Sequence, residues 1–384
     1  MADAPYAIAR AAAAMVHPHF ARLLGAQRIE QPASGVPASR AALPDLATVE
    51  TIINVAFWAS LRREERYAPR ISLAFVAPGE GKRPLVFERP VPLAPQPLTH
   101  LGPAVERPGI HLCIWSQPDG LAVWGATRYI PPCCFVLEVV APGLLVIKHS
   151  RSDDSGKFVN VAVLQGDEIK MVEQRAGSAP GLPARIAALL GPHPDMAPAD
   201  SINIQMQLAV SMRAHGRGGS LLIVPAGTEQ WRESILAPVS YAIAPTFRVL
   251  EELAGEQAKE MASIRWQTAM RRAIEGIAGL TAVDGALILT DRFELLAFGA
   301  KIIRRSGFSQ VSSVMLTEAI EGSGVGVVES GVLGGTRHLS AAQFAHDQRD
   351  TIALVASQDG RFTVFGWSSA QGMVYADRIE ALLL

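Results

Sequence analysis

The sequence predicts a mixed α/β (α+β) protein in which a smaller β-rich domain precedes a C-terminal mixed β-sheet flanked by helices. Three observations predict it. Residues 69–172 hold short apolar runs broken by Pro, Gly and Asp, the spacing of hairpin strands. Residues 201–384 alternate helical periodicity with continuous apolar runs, which is how strands covered on both faces read. Between them, residues 176–200 crowd prolines and glycines around one short apolar patch and read as a hinge. The expected domains are therefore 1–180 and 201–384, with 181–200 as linker.

The elements follow in chain order. Residues 1–65 are expected to be mainly helical, because Val49, Ile52, Ile53, Ala56 and Phe57 recur at three-and-four spacing. Strand-like runs such as ISLAFVAP, PLVFERPVPL, GLAVWGATRYI and CFVLEVVAPGLLVIKHS come next, with turns expected at 117–120 (QPDG) and 165–168 (QGDE). In the second half, INIQMQLAVSMRA reads as a helix ending near His215–Gly219, and SLLIVPAG as a buried strand. Residues 246–280 read as a long helical stretch, with Leu250, Leu253, Ala254, Ala258 and Met261, then Met270, Ile274 and Ile277, along one stripe. VDGALILT and ELLAFGAKI are expected strands, 339–347 a helix, TIALVAS and RFTVFGW strands, and 374–383 a closing helix.

Composition narrows the function classes. Across 384 residues, 35 basic and 36 acidic side chains nearly cancel, which argues against wrapping nucleic acid by net charge. Cys113, Cys133 and Cys134 form no disulfide framework, so a reducing compartment is expected and vicinal Cys133-Cys134 reads as a buried structural pair. No apolar run is long enough for a membrane-spanning helix, and the N-terminus lacks the basic start of a signal peptide, so the expected location is the cytoplasm. His17 and His19 sit close together but have no Cys or carboxylate at metal spacing. EGSGVGVVESG at 321–331 lacks the strand-before, helix-after context of a dinucleotide loop, since VGVVES itself reads as strand.

Two motifs carry chemistry. Gly334-Gly335-Thr336-Arg337-His338 precedes a helix. Glycine allows close backbone approach, a helix start favours negative charge, and Thr336, Arg337 and His338 supply a hydroxyl, a two-pronged cation and a tunable imidazole. The segment reads either as a phosphate cradle or as a helix cap formed by Thr336. Asp284-Gly285 opens a strand; the carboxylate can hold Mg²⁺ or Mn²⁺ or accept a ribose hydroxyl, or can be an ordinary turn aspartate.

Taken together, Asp284-Gly285-Ala286 and Gly335-Thr336-Arg337-His338 resemble the diadenylate cyclase domain, which joins two ATP molecules into cyclic di-AMP and carries Asp-Gly-Ala and Gly-Thr-Arg-His-Arg. The resemblance covers roughly residues 200–384. It implies a nucleotide pocket lined by Asp284, Gly285, Ala286, Gly335, Thr336, Arg337, His338 and Ser357, with Asp284 as catalytic group and metal ligand if the site turns over, and assembly into a homo-oligomer. Two departures matter. Leu339 stands where the family has its second arginine, and Gln358 where it has a carboxylate. Losing a cation and an anion weakens transition-state charge stabilisation more than binding. The pattern looks like the sensor-type relatives of the cyclase domain (DACNV-like), which add an N-terminal domain. The expected function is a sensor of a nucleotide such as ATP or cyclic di-AMP; an active cyclase and an interaction scaffold with a relic pocket are the alternatives.

Overall fold

The structure, a computed structural model, describes residues 4–30, 41–80, 83–107, 109–151, 158–172, 203–256 and 263–384. The chain divides into two compact units, Met1–Gln174 with Leu384, and Arg175–Leu383. The expected linker at 181–200 lies outside the described residues. The chain is mixed α/β, with two mixed sheets and helices on each.

The N-terminal unit begins with helices α1 (Ala9–Glu30) and α2 (Leu46–Ser60). Asp45 caps α2 by accepting the Thr48 N–H at 2.7 Å. Strands β1 (Ile71–Phe75), β2 (Leu85–Pro92), β3 (His111–Gln117), β4 (Gly120–Thr127), β5 (Phe135–Ala141), β6 (Leu144–Ser150), β7 (Phe158–Gln165) and β8 (Glu168–Met171) form one sheet in the order β2-β4-β3-β1-β5-β6-β7-β8. Among the described residues of this sheet, β1 and β3 pair in parallel and the other neighbours are antiparallel. Phe20, Ile52, Ile53, Leu98, Leu112, Leu137 and Ile147 are fully buried where the helices meet the sheet. Each such side chain contributes about 1.5–3 kcal/mol. Helix α3 (Pro95–Val105) went unread in the sequence because its prolines look like breakers; Pro95 occupies the first turn, where no N–H is needed, and Leu98, Thr99, Gly102 and Val105 make the buried face. Pro90 and Pro92 are tolerated because β2 is an edge strand.

Cys113, Cys133 and Cys134 are free and buried. Burial pushes the Cys113 thiol up to about 12 and the Cys134 thiol higher. A thiol reagent at pH 8 is therefore expected to leave the native chain unmodified while the urea-unfolded chain reacts at all 3 cysteines. Rapid native reaction at Cys134 would contradict the packing.

The C-terminal unit contains α4 (Ile204–Ala214), β9 (Gly219–Val224), β10 (Tyr241–Phe247), α5 (Val249–Ala254), α6 (Ile264–Leu280), β11 (Ala286–Thr290), β12 (Leu295–Ala300), β13 (Ser313–Glu318), β14 (Gly326–Glu329), α7 (Thr336–Asp347), β15 (Ile352–Ala356), β16 (Phe362–Ser368) and β17 (Met373–Arg378). The sheet order is β10-β12-β11-β9-β15-β16-β17-β13-β14, with β9/β11 and β13/β17 parallel. Helices α4, α5 and α6 cover one face through Leu208, Leu250, Met270 and Ile274. Helix α7 covers the other through Ala341, Ala342, Phe344 and Ala345. Among the described residues, none of the helices is long and apolar enough to cross a membrane.

Three expectations are corrected. The stretch 246–280 is not one helix: Tyr241–Phe247 is an edge strand, and α5 and α6 are separate. Ala258 and Met261 of the expected stripe lie outside the described residues. The closing helix at 374–383 is strand β17 followed by a single turn of 3₁₀ helix, Glu380–Leu382. β17 is paired on both sides and buried on both faces, so Val374, Tyr375, Ala376 and Asp377 show no period-two alternation to mark a strand. Helix α7 starts at Thr336, three residues before the expected start.

Candidate functional site

The parallel strands β9 and β11 begin at one end of the C-terminal sheet, and the antiparallel β15 ends there. The register places Gly219 opposite Ala356 and Ser220 opposite Ala286. Three segments therefore meet: Arg217-Gly218 entering β9, Asp284-Gly285 entering β11, and Ser357-Gln358-Asp359 leaving β15. The β11/β12 register, Ala286 opposite Ala300, adds Lys301.

Asp284 is exposed, and its Oδ2 accepts from Lys301 Nζ at 2.6 Å. That hydrogen bond, then the charges of Lys301 and Arg337, hold the carboxyl below its ordinary range. Arg337 thus acts on Asp284 across the gap between α7 and β11. The guanidinium lies against Gly218: a methyl group there would stand 3.2 Å from Arg337 Nη1 and from the Ala356 carbonyl. Gly218 has φ +69°, so its backbone also favours glycine. Gln358 closes the floor by donating to the Arg217 carbonyl at 3.3 Å.

The start of α7 bears on the cap reading of Thr336. Gly335 is the cap residue, no side chain caps the helix, and Thr336 is its first, exposed residue. Thr336 therefore does not form a cap, and it stands exposed at the start of α7, where no side chain satisfies the first amides. His338 is placed differently from its neighbours. It is buried, its ring packs edge-on to Phe365, and its Nδ1 sits so close beneath Gly334 that a methyl there would be 2.9 Å away. Burial lowers its pKa; Asp359 opposes this, while Arg378, Arg361 and Arg337 push it further down. His338 is thus a neutral imidazole at pH 7 rather than a cation, and its buried Nε2 lacks a hydrogen-bond partner.

The remaining predicted positions divide. Ser357 binds Asp359 through its hydroxyl, and its N–H donates to the Arg361 carbonyl at 2.9 Å. Burial works to raise the Asp359 carboxyl, but hydrogen bonds from Ser357 and the Arg361 backbone outweigh it and the net shift is downward. Ala286 is buried in the core under α7 and turns its methyl away from solvent. Leu339, in the family's arginine position, is partly exposed on the helix. Sequence reasoning missed Lys301 as a partner of Asp284, since only strand register brings residues 284 and 301 together. It also missed Gly218, although the run Gly216-Arg217-Gly218-Gly219 before a strand signals a tight approach.

The set does not fit a resident divalent metal. Lys301 already occupies Asp284, Asp359 is bonded to Ser357, Glu318 pairs with Arg378 at 3.0 Å, and Asp377 accepts from Thr317 at 2.7 Å. Among the described residues, no three His, Cys, Asp or Glu side chains converge as metal ligands.

Comparison with known proteins adds the following. No curated protein matches the chain. Among solved structures, the crystal structure of a hypothetical membrane spanning protein from Bacillus cereus matches at 14% identity and TM-score 0.25, covering 44% of this chain and 59% of that one. The matched region thus spans less than two thirds of that protein's length. One family, described as "Probable sensor domain DACNV", matches residues 38–128. Those residues run through α2 to just past β4 in the N-terminal unit, the half in which sequence motifs showed no chemistry, and the match supports a DACNV-like sensor domain there.

Proposed function

We propose that the protein is a sensor whose C-terminal unit binds a nucleotide or cyclic dinucleotide at the Asp284–Arg337 end of its sheet. The observation that carries this reading is the convergence of Asp284 and Arg337 beside the uncapped start of α7. Arg337 grips phosphate oxygens with paired N–H groups, and Thr336 and the first amides of α7 add donors. Gly335 lets the backbone approach, and Asp284 accepts a ribose hydroxyl. His338 supports the turn from beneath, its unpartnered Nε2 offering one hydrogen bond to the ligand or to a bridging water. Ser357 holds Asp359 at the rim. The sensor-type match at residues 38–128 supports the same class of function.

Calorimetry with ATP and with cyclic di-AMP on the full chain tests it. Arg337→Ala is expected to weaken binding about 10- to 100-fold, the range for a charge-assisted hydrogen-bonded pair. Absence of heat from both ligands at about tens of micromolar protein would sink the reading. Formation of cyclic di-AMP from ATP, lost in Asp284→Asn, would replace the sensor with an enzyme.

A further inference from the structure

The state of Asp284 bears on which nucleotide the site takes and whether it needs a metal ion. Its Oδ2 is occupied by Lys301 Nζ at 2.6 Å, and the lysine is itself half exposed at the same edge. A divalent ion bound to a nucleotide's phosphates ordinarily leans on one or two carboxylates, and three other acids at this end of the sheet, Asp359, Glu318 and Asp377, have partners. Asp359 takes a hydrogen bond from Ser357 and lies 3.5 Å from Arg361 Nε, Glu318 pairs with Arg378, and Asp377 takes the Thr317 hydroxyl. Recruiting Asp284 would mean driving a metal against an ammonium already in hydrogen-bond contact.

We infer that Lys301 stands where a divalent cation would otherwise act, so that the site takes a phosphodiester-bearing nucleotide without metal. The inference rests on the nucleotide-binding reading above. The charge balance supports the ligand class. The Arg361–Asp359 and Arg378–Glu318 pairs each cancel, and beside Asp284 the two cations Lys301 and Arg337 outnumber the one carboxylate. A modest positive excess suits phosphodiester groups, each carrying one negative charge, better than a free triphosphate, whose crowded charge needs a metal for neutralisation. Lys301 also shields the phosphodiester from Asp284, which would repel it if bare.

The experiment is titration calorimetry of the full chain with cyclic di-AMP and with ATP, each in EDTA and in excess Mg²⁺. Cyclic di-AMP affinity is expected to agree within about twofold between the two conditions, and ATP in EDTA to bind at least about tenfold more weakly than cyclic di-AMP. Lys301→Met is expected to lose about tenfold for cyclic di-AMP, with Lys301→Arg restoring most of it. Cyclic di-AMP binding that collapses in EDTA, or Lys301→Met binding like the unaltered protein, overturns the inference while leaving nucleotide binding intact. Binding of Mg²⁺-ATP alone does the same. No binding of either ligand in either condition removes both the inference and the reading beneath it.

Discussion

Gly285→Ala is expected to unfold the C-terminal unit or bring it close to unfolding. A Cβ at 285 would lie 2.4 Å from the carbonyl carbon of Gly299 and 2.6 Å from its oxygen, both backbone atoms that no rotamer change can move. Gly299 is itself closely approached from Tyr241, whose ring, stacked on Phe298, would stand 2.7 Å from a Cβ built there. Gly285 also has φ +117°, a conformation that other residues adopt only under strain. Backbone strain of about 1–3 kcal/mol and overpacking of similar size add to roughly 3–5 kcal/mol, a large part of the stability of an ordinary domain. The comparison variant is Gly276→Ala in α6, where nothing lies within 4 Å of the added methyl and a gain of about 0.5–1 kcal/mol is expected. Urea unfolding read by tryptophan fluorescence, with hydrogen exchange at Ala286–Thr290 to localise the effect, checks both. An unaltered midpoint for Gly285→Ala would mean that β11 and β12 do not pack as described. The glycine of Asp-Gly-Ala is thus required first by strand packing, and the close approach it permits is to Gly299.

How much of this was legible in the sequence depends on the length scale of the signal. Turns announced themselves through local chemistry: Gly120 and Gly166 take positive φ in the turns expected at 117–120 and 165–168. Buried strands such as SLLIVP and ALILT were readable because continuous apolar runs bounded by Gly and Asp have few other uses. Misreadings occurred where periodicity was ambiguous. Strand β17 lies between two neighbours and under α7, so its burial hides the alternation, and β10 carries Pro245 on an exposed edge. In the site, Asp284 and the 335–338 segment stood out because each concentrates chemistry within a few residues. Lys301 did not, because its partnership with Asp284 exists only through the β11/β12 register. His338 shows the converse: its residue type suggested an imidazole of tunable charge, and burial, with three arginines nearby, pushes its pKa down.

The stability of the N-terminal unit is expected to fall as pH drops from about 6.5 to about 4, with His111 responsible for a separable share. This imidazole begins β3 and is 3% exposed. Ser72 Oγ on β1 lies 2.8 Å from its Nδ1, Phe158 on β7 packs 5.4 Å away, and Lys148 on β6, paired with Glu138, adds a positive charge nearby. Burial, then Lys148, lowers the His111 pKa to about 4. In the unfolded chain the same group takes up its proton near its ordinary value of about 6.5. Between those limits the unfolded state binds more protons, so acidification favours unfolding; above pH 6.5 the group is neutral in both states and has no effect. The shift corresponds to roughly 3 kcal/mol, most of it lost by pH 4.5. His111→Gln keeps a polar contact for Ser72 and removes the titration, so its urea midpoint should fall less than the unaltered protein's between pH 7 and pH 4.5. Parallel pH profiles for the two proteins would show that His111 is not held neutral by its surroundings. Residues 38–128, which match the sensor family, include His111, so this titrating group lies within the DACNV-like part of the chain.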